Sequence, residues 1–160
     1  MSTAPASRPP LGRQVQARAM KVANVPMRVL LGLPVATPLG KRLMLATIVG
    51  RRSGRIYHQP LSYVDVGDGV LLTPGGGRWK LNLSLDQPVT LRIRGRDVQA
   101  RPELIGDPEE VDRLLAVMAE VNPAVNSFVR IPRGPDGHLD RDKLAAALRY
   151  GFRVVRWRTE

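Results

Sequence analysis

The chain has 160 residues, 43% of them apolar and 24% charged, with a formal net charge of +11. This suits one domain with a real core, while the absence of cysteine excludes disulfides and thiolate metal sites, and two histidines, His58 and His138, are too few for a multi-histidine metal site. Residues 1–60 hold ten Lys or Arg and no Asp or Glu, a bias that attracts a polyanionic small molecule, a nucleic acid or an anionic membrane surface, although an excess of Arg over Lys (21 to 4) also fits codon bias.

Residues 1–10 are rich in Ser, Ala and Pro and are expected to be disordered. The single domain then runs from 11 to 160. A helix is predicted over 11–31, with Val15, Ala19, Val22 and Leu30 on one side and Arg13, Arg18, Lys21 and Arg28 on the other. Pro26 ends or kinks it. Packing on its own domain is the expected use of this helix, and peripheral contact with an anionic membrane is the second. No segment reaches the roughly 20 apolar residues of a membrane span, and no secretory signal is evident, so the expected location is the cytoplasm.

Strands follow the connection at 32–40. The first is 43–49 and the second 57–66, with Leu61, Tyr63 and Asp65 on one face and Ser62, Val64 and Val66 on the other. Gly67-Asp68-Gly69 turns the chain into a strand at 70–73, and Pro74-Gly75-Gly76-Gly77 is a loop almost without side chains. A short helix is expected over 78–85. A strand at 89–94 turns at Gly95-Arg96 and returns over 97–105, with Val98, Ala100 and Leu104 inward and Pro102 marking an edge or a bulge.

Asp107-Pro108-Glu109-Glu110 opens a helix whose apolar stripe is Val111, Leu114, Leu115, Met118 and Val121. Asn122-Pro123 stops it, 124–139 reads as a long loop, Asp140 caps a helix through Leu148, and 152–157 is a last strand. Antiparallel strands joined mostly by hairpins, with helices at the start, late and before the last strand, predict an α+β fold around a small barrel rather than a Rossmann sheet.

Hydrolytic machinery is not visible. His58 lies beside arginines on a strand, His138 sits in a Gly/Pro-rich loop, and Asp107, Glu109 and Glu110 are explained by helix capping. No residue is assigned a catalytic role. The chemistry instead gathers at Gly50-Arg51-Arg52-Ser53-Gly54-Arg55. A tight turn gathers backbone N–H groups into one concavity, and a guanidinium fork donates two hydrogen bonds to a phosphate. A solvated basic turn is the bland alternative. The glycines at 75–77 would let a flat ligand approach the backbone, and Trp79 and Asn82 share a helix face beside them. Their plainer use is core packing for Trp79 and backbone capping for Asn82.

Gly50-Arg51-Arg52-Ser53-Gly54, Pro60-Leu61 and Trp79-Lys80-Leu81-Asn82-Leu83 resemble the motifs of the deazaflavin-dependent nitroreductase family of actinobacteria. The resemblance runs from about Leu43 to the end. It implies a split β-barrel of the FMN-binding kind, an antiparallel Greek-key barrel of about six strands with flanking helices. It also implies coenzyme F420, a deazaflavin with a phospholactyl-polyglutamate tail, as hydride donor; FMN on the same turn is the alternative. By position, Arg51, Arg52 and Ser53 would hold the phosphate, and Gln59, Pro60 and Leu61 would line the deazaflavin. Thr73, Pro74, Gly75 and Gly76 would border it, and Trp79 with Asn82 would complete the wall. The implied cofactor-binding set also takes in Gly54, Tyr57, His58 and Arg78.

The implied activity is hydride transfer from reduced F420 to a small planar acceptor, a quinone or a nitro or enone compound, with Tyr63 or water as proton source. The segment 124–139 offers only Asn126, Phe128 and Arg130, not a tyrosine-rich acceptor wall. A homodimer is a further expectation. The rival readings are a non-enzymatic flavin or deazaflavin carrier, a membrane-surface protein using the 11–31 helix, and a nucleic-acid binder. With 4% aromatic residues and no stacking platform, the last is disfavoured.

Overall fold

The computed structural model describes residues 42–160. The expected disordered start, the 11–31 helix and the connection at 32–40 lie outside them. Within the described residues no helix is long and apolar enough to cross a membrane.

Among the described residues seven strands form one sheet: β1 (Leu43–Val49), β2 (Ile56–Ser62), β3 (Val64–Gly67), β4 (Val70–Gly75), β5 (Val89–Ile93), β6 (Arg96–Ile105) and β7 (Arg153–Thr159). All pairings are antiparallel and the order is β2-β1-β5-β6-β7-β4-β3. The count exceeds the expected six because the run 57–66 is two strands. β2 pairs with β1 and β3 pairs with β4, so the chain changes neighbours at Tyr63. β2 and β3 are therefore the two outer strands of the sheet, yet one residue separates them. A sheet whose opposite edges are joined by one residue must curl until those edges meet, and β2 indeed touches β4. This is the split barrel, an α+β fold, in physical terms.

The alternation expected across 57–66 holds through this corner. Leu61 and Tyr63 face the barrel interior, and Val64, the next residue, points to the other face and is buried there against the helices.

Two cores result. The barrel interior holds Met44, Ala46, Ile48, Leu91, Val155 and Trp157, and the second core lies between the sheet and the helices. β4 and β7 feed both: Leu71 and Val155 point into the barrel, while Leu72 and Val154 meet the helices. Strands buried on both faces lose the apolar-polar alternation and read as continuous apolar runs.

Helix α1 (Pro108–Val121) starts as its sequence dictates, with Pro108 in its first turn and the Asp107 carboxylate accepting the Glu110 N–H at 3.0 Å. Val111, Leu114, Leu115 and Met118 are buried; Val121, assigned to the stripe, is exposed in the last turn. A short helix, α2 (Val125–Val129), and a bridge between Arg133 and Leu139 occupy the predicted loop. Asp140 caps α3 (Arg141–Arg149) through the Lys143 N–H.

Three further details depart from expectation. The β5–β6 turn is Arg94-Gly95, not Gly95-Arg96: Ile93 pairs with Arg96, and both turn residues have positive φ (51° and 79°), which matches the twist of the flanking strands. Leu104 is exposed, whereas Pro102 and Ile105 are buried. β6 is a central strand, but β5 pairs with it only up to Ala100, so Pro102 has a neighbour on one side alone. That local edge is where a residue without an N–H is tolerated.

Asp112 of α1 clips the loop that precedes α3. Its carboxylate accepts the His138 Nδ1–H at 2.8 Å, an Arg133 guanidinium N–H at 3.1 Å and the Leu139 N–H at 3.2 Å. Burial pushes its pKa up, but the bonds from His138, Leu139 and Arg133 outweigh that and hold it below the usual carboxylate value. A depressed folded-state pKa stabilises the fold above the unfolded value of about 3.9 and loses that contribution as pH falls below it. Asp112→Asn should therefore lower stability by about 1–3 kcal/mol at pH 7. Thermal melts at neutral pH and at about pH 3 check this, since the gap between wild type and variant must narrow on acidification.

Candidate functional site

The β1–β2 hairpin turn is built around Gly50 and Gly54. Gly50 N–H donates to Arg55 O at 2.7 Å, Gly54 N–H donates to Gly50 O at 2.8 Å, and Gly54 has φ +67°. A Cβ on Gly50 would lie 2.6 Å from Ser53 Oγ and 2.8 Å from Tyr57 Cε2, so only glycine lets the Tyr57 ring lie against the turn. The Tyr57 and Ser53 hydroxyls are 3.4 Å apart, and Ser53 Oγ also accepts the Arg55 N–H at 3.2 Å.

A 3₁₀ helix (Arg78–Asn82) docks on this turn. Asn82 joins them: its Oδ1 accepts the Arg51 N–H at 3.0 Å and its Nδ2 donates to Trp79 O at 3.2 Å. The two elements enclose an open cleft of about 400 Å³. Arg51, Arg52, Ser53 and Tyr57 line it from the hairpin, and Arg78 and Asn82 from the 3₁₀ helix. Six of the predicted contacts are thus brought together, though 31 residues of sequence separate Arg51 from Asn82.

No acid lines this cleft. Arg51, Arg52, Arg55 and Arg78 have no ion-pair partner among the described residues, and residues 1–41 contain no Asp or Glu to supply one. Several arginines elsewhere are paired. Arg92 pairs with Asp97 at 2.6 Å, Arg101 with Glu160 at 2.7 Å, Arg133 with Asp112, and Arg156 with both Glu103 and Glu110. What sets the cleft apart is that three guanidinium groups, those of Arg51, Arg52 and Arg78, line one concavity beside the Ser53 and Tyr57 hydroxyls.

The other predicted residues do not line the cleft. His58 is exposed on β2, with Nδ1 at 3.3 Å from Thr47 Oγ1. Gln59 and Pro60 are half-buried farther along the same strand, and Gln59 Nε2 donates to Pro60 O. Gly54 closes the turn. Leu61 and Thr73 turn their side chains into the barrel, and the Thr73 hydroxyl accepts the Trp157 Nε1–H at 3.0 Å. Any contact from these two would come from the backbone. Trp79 is half-buried against the barrel core and stacks on Trp157, with centroids 6.5 Å apart and planes 8° from parallel. The plainer use of Trp79 and Asn82, core packing and backbone capping, is thus present in both.

The glycine loop differs from its expected use. Pro74 and Gly75 belong to β4. An added Cβ on Gly75 would meet the Arg153 carbonyl oxygen at 2.9 Å and Lys80 Cδ at 3.2 Å, and one on Gly77 would meet Trp79 at 2.7 Å. Gly76 alone of the three faces open space. Residues missed in the sequence are Gly50 and Leu81, which line the cleft, and Lys80, which is buried behind it. Gly50 was legible as one of the glycines bracketing the turn; Lys80 carried no signal.

Tyr63 does not fit the role of proton source. It is buried at the β2–β3 corner, its N–H on Arg42 O at the start of β1, and Arg94 bonds its hydroxyl. Burial pushes the Tyr63 pKa up and Arg94 only partly offsets this, so the hydroxyl holds its proton more tightly than an ordinary tyrosine.

A model of the F420H(2)-dependent quinone reductase family matches residues 16–130. Among solved structures, the chain is similar to an FAD-binding protein from Mesorhizobium loti, at 17% identity over 74% of this chain and 81% of that one, with a TM-score of 0.49. It is also similar to an F420-H2 dependent reductase (FDR-A), at 15% identity over 75% and 95% of the two chains, with a TM-score of 0.47. No curated protein matches.

Proposed function

The chain belongs to the F420H(2)-dependent quinone reductase family, oxidoreductases whose cofactor is coenzyme F420, and we propose that it passes a hydride from reduced F420 to a small planar acceptor of the quinone type, binding the cofactor at the β1–β2 turn. The observation that carries the placement is the set of unpaired arginines in an acid-free cleft. Several guanidinium groups gathered in one cleft without a counter-ion raise the local positive potential and favour an anion there, and the phosphate and carboxylates of the F420 tail supply it.

In this reading Arg51 and Arg52 hold the phosphate with charge-assisted forks, Ser53 donates its hydroxyl, and Arg78 closes the cleft from the 3₁₀ helix. Asn82 keeps the Arg51 backbone in register with that helix. The ring would run from the turn along Gln59, Pro60 and the Leu61 backbone toward the end of β4, where Thr73 to Gly76 border it. β2 and β4 meet across the barrel seam, so both sides of such a site come from adjacent strands. Trp79, braced on Trp157, backs the wall. When bound, the reduced deazaflavin supplies the hydride. The chain anchors the tail and leaves the proton to solvent, since no acid stands near the cleft.

Fluorescence titration with F420 and with FMN tests this reading. F420 should bind with a clear signal change, more tightly than FMN, and the affinity should fall as salt is raised, since exposed charges are screened. Tight FMN binding with no response to F420 contradicts it.

A further inference from the structure

Lys80 is 5% exposed. Its stem occupies the space that Gly75 leaves on the barrel side, and its Nζ donates to Gly77 O at 2.5 Å. No carboxylate pairs with it among the described residues. Among the described residues the one charged group acting on it is a like charge, Arg153 of β7, the strand partner of Gly75. β1 and β4, which also flank it, carry no ionisable side chain. Methionine or leucine would fill this space without desolvating an ammonium, which makes the placement costly unless the charge does something. What it does is seize one carbonyl, at the joint between β4 and the 3₁₀ helix.

We propose that Lys80 is a positioning residue whose ammonium holds the Gly75–Gly77 segment and thereby fixes where Arg78 stands at the cleft. The joint needs such a device. A Cβ on Gly76 would meet nothing within 4 Å, and the residue before the 3₁₀ helix, Gly77, has no side chain to cap it. Glycines leave the backbone free to move, and the ammonium bond removes that freedom. The Trp79 indole packs directly on Gly77, so it senses the joint. Burial, and then the nearby Arg153, lower the Lys80 pKa from its ordinary value. The clamp should therefore release below the pH at which an exposed lysine would lose its proton.

Two readouts test this. The first needs no cofactor: emission from the chain's two tryptophans, Trp79 and Trp157, followed from about pH 8 to about pH 11. Wild type should show a transition with its midpoint below about 10.5, the ordinary lysine value. Tyr57→Phe should keep it and Lys80→Met should lack it. No transition in wild type, or the same transition in Lys80→Met, overturns the proposal. The second readout rests on the cofactor placement above: Lys80→Met should weaken F420 affinity roughly tenfold at pH 7, a loss of about 1.4 kcal/mol. Unchanged affinity in Lys80→Met overturns the link to Arg78. If removing Arg51 and Arg52 leaves F420 binding intact while the tryptophan transition persists, the cofactor placement fails and the clamp stands.

Discussion

Replacing both Arg51 and Arg52 with alanine should weaken F420 binding by about a hundredfold. A hydrogen bond to a charged group contributes about 1.5–3 kcal/mol. Both side chains are exposed, so the low end applies, and two such losses come to about 3 kcal/mol, or two factors of ten in affinity. The variant should melt with the wild type, because neither guanidinium has a partner within the described residues. The Arg51 bond to Asn82 comes from the backbone and survives the change. The salt dependence of binding should flatten in the variant, because the charges that salt screens are gone. Unchanged affinity would move the phosphate elsewhere.

The largest effect on stability should come from Trp157→Ala. The side chain is fully buried in the barrel, bonds the Thr73 hydroxyl and stacks on Trp79. Removing a buried tryptophan costs about 3–5 kcal/mol. For a domain of this size that lowers the melting temperature by roughly 10 °C or more. Trp157→Phe keeps most of the volume and should cost about half as much. The damage should reach the site as well. Trp79 loses its support, and the 3₁₀ helix that carries Arg78 and Asn82 rests on Trp79. A melting temperature within a few degrees of wild type would show that the barrel core is not organised around this residue. Thermal melts by circular dichroism, with F420 titration of the folded variant, read both effects.

What the sequence disclosed tracks how local each cause is. Asp107-Pro108 announced α1 because capping is settled within four residues, and Asp140 announced α3 for the same reason. The hairpin at 50–55 was legible because two glycines and three arginines stand together in one turn. Tyr63 was not, because nothing local says that the chain leaves one sheet edge and joins the other. Leu104 misled because β6 outlasts its partner β5, and the residue buried there is Ile105, on the opposite face against the helices. The glycines at 75–77 read as room for a ligand, whereas two of them make room for Lys80 and Trp79. Composition cannot tell an internal neighbour from an external one. Thr73 and Leu61 fell within the right strands, but the direction of each side chain follows from how the barrel closes. The six residues that meet at the cleft do so through one long-range contact, Asn82 on the Arg51 N–H, which the sequence shows only as two separate motifs.

The most direct test mixes the protein with reduced F420 and a planar quinone under anaerobic conditions, following the return of the oxidised deazaflavin absorbance. Oxidation that depends on the wild-type protein and is largely lost in the Arg51→Ala, Arg52→Ala variant is the expected result. Tight F420 binding with no protein-dependent oxidation by the quinone would contradict the quinone-reductase reading, leaving a carrier in its place.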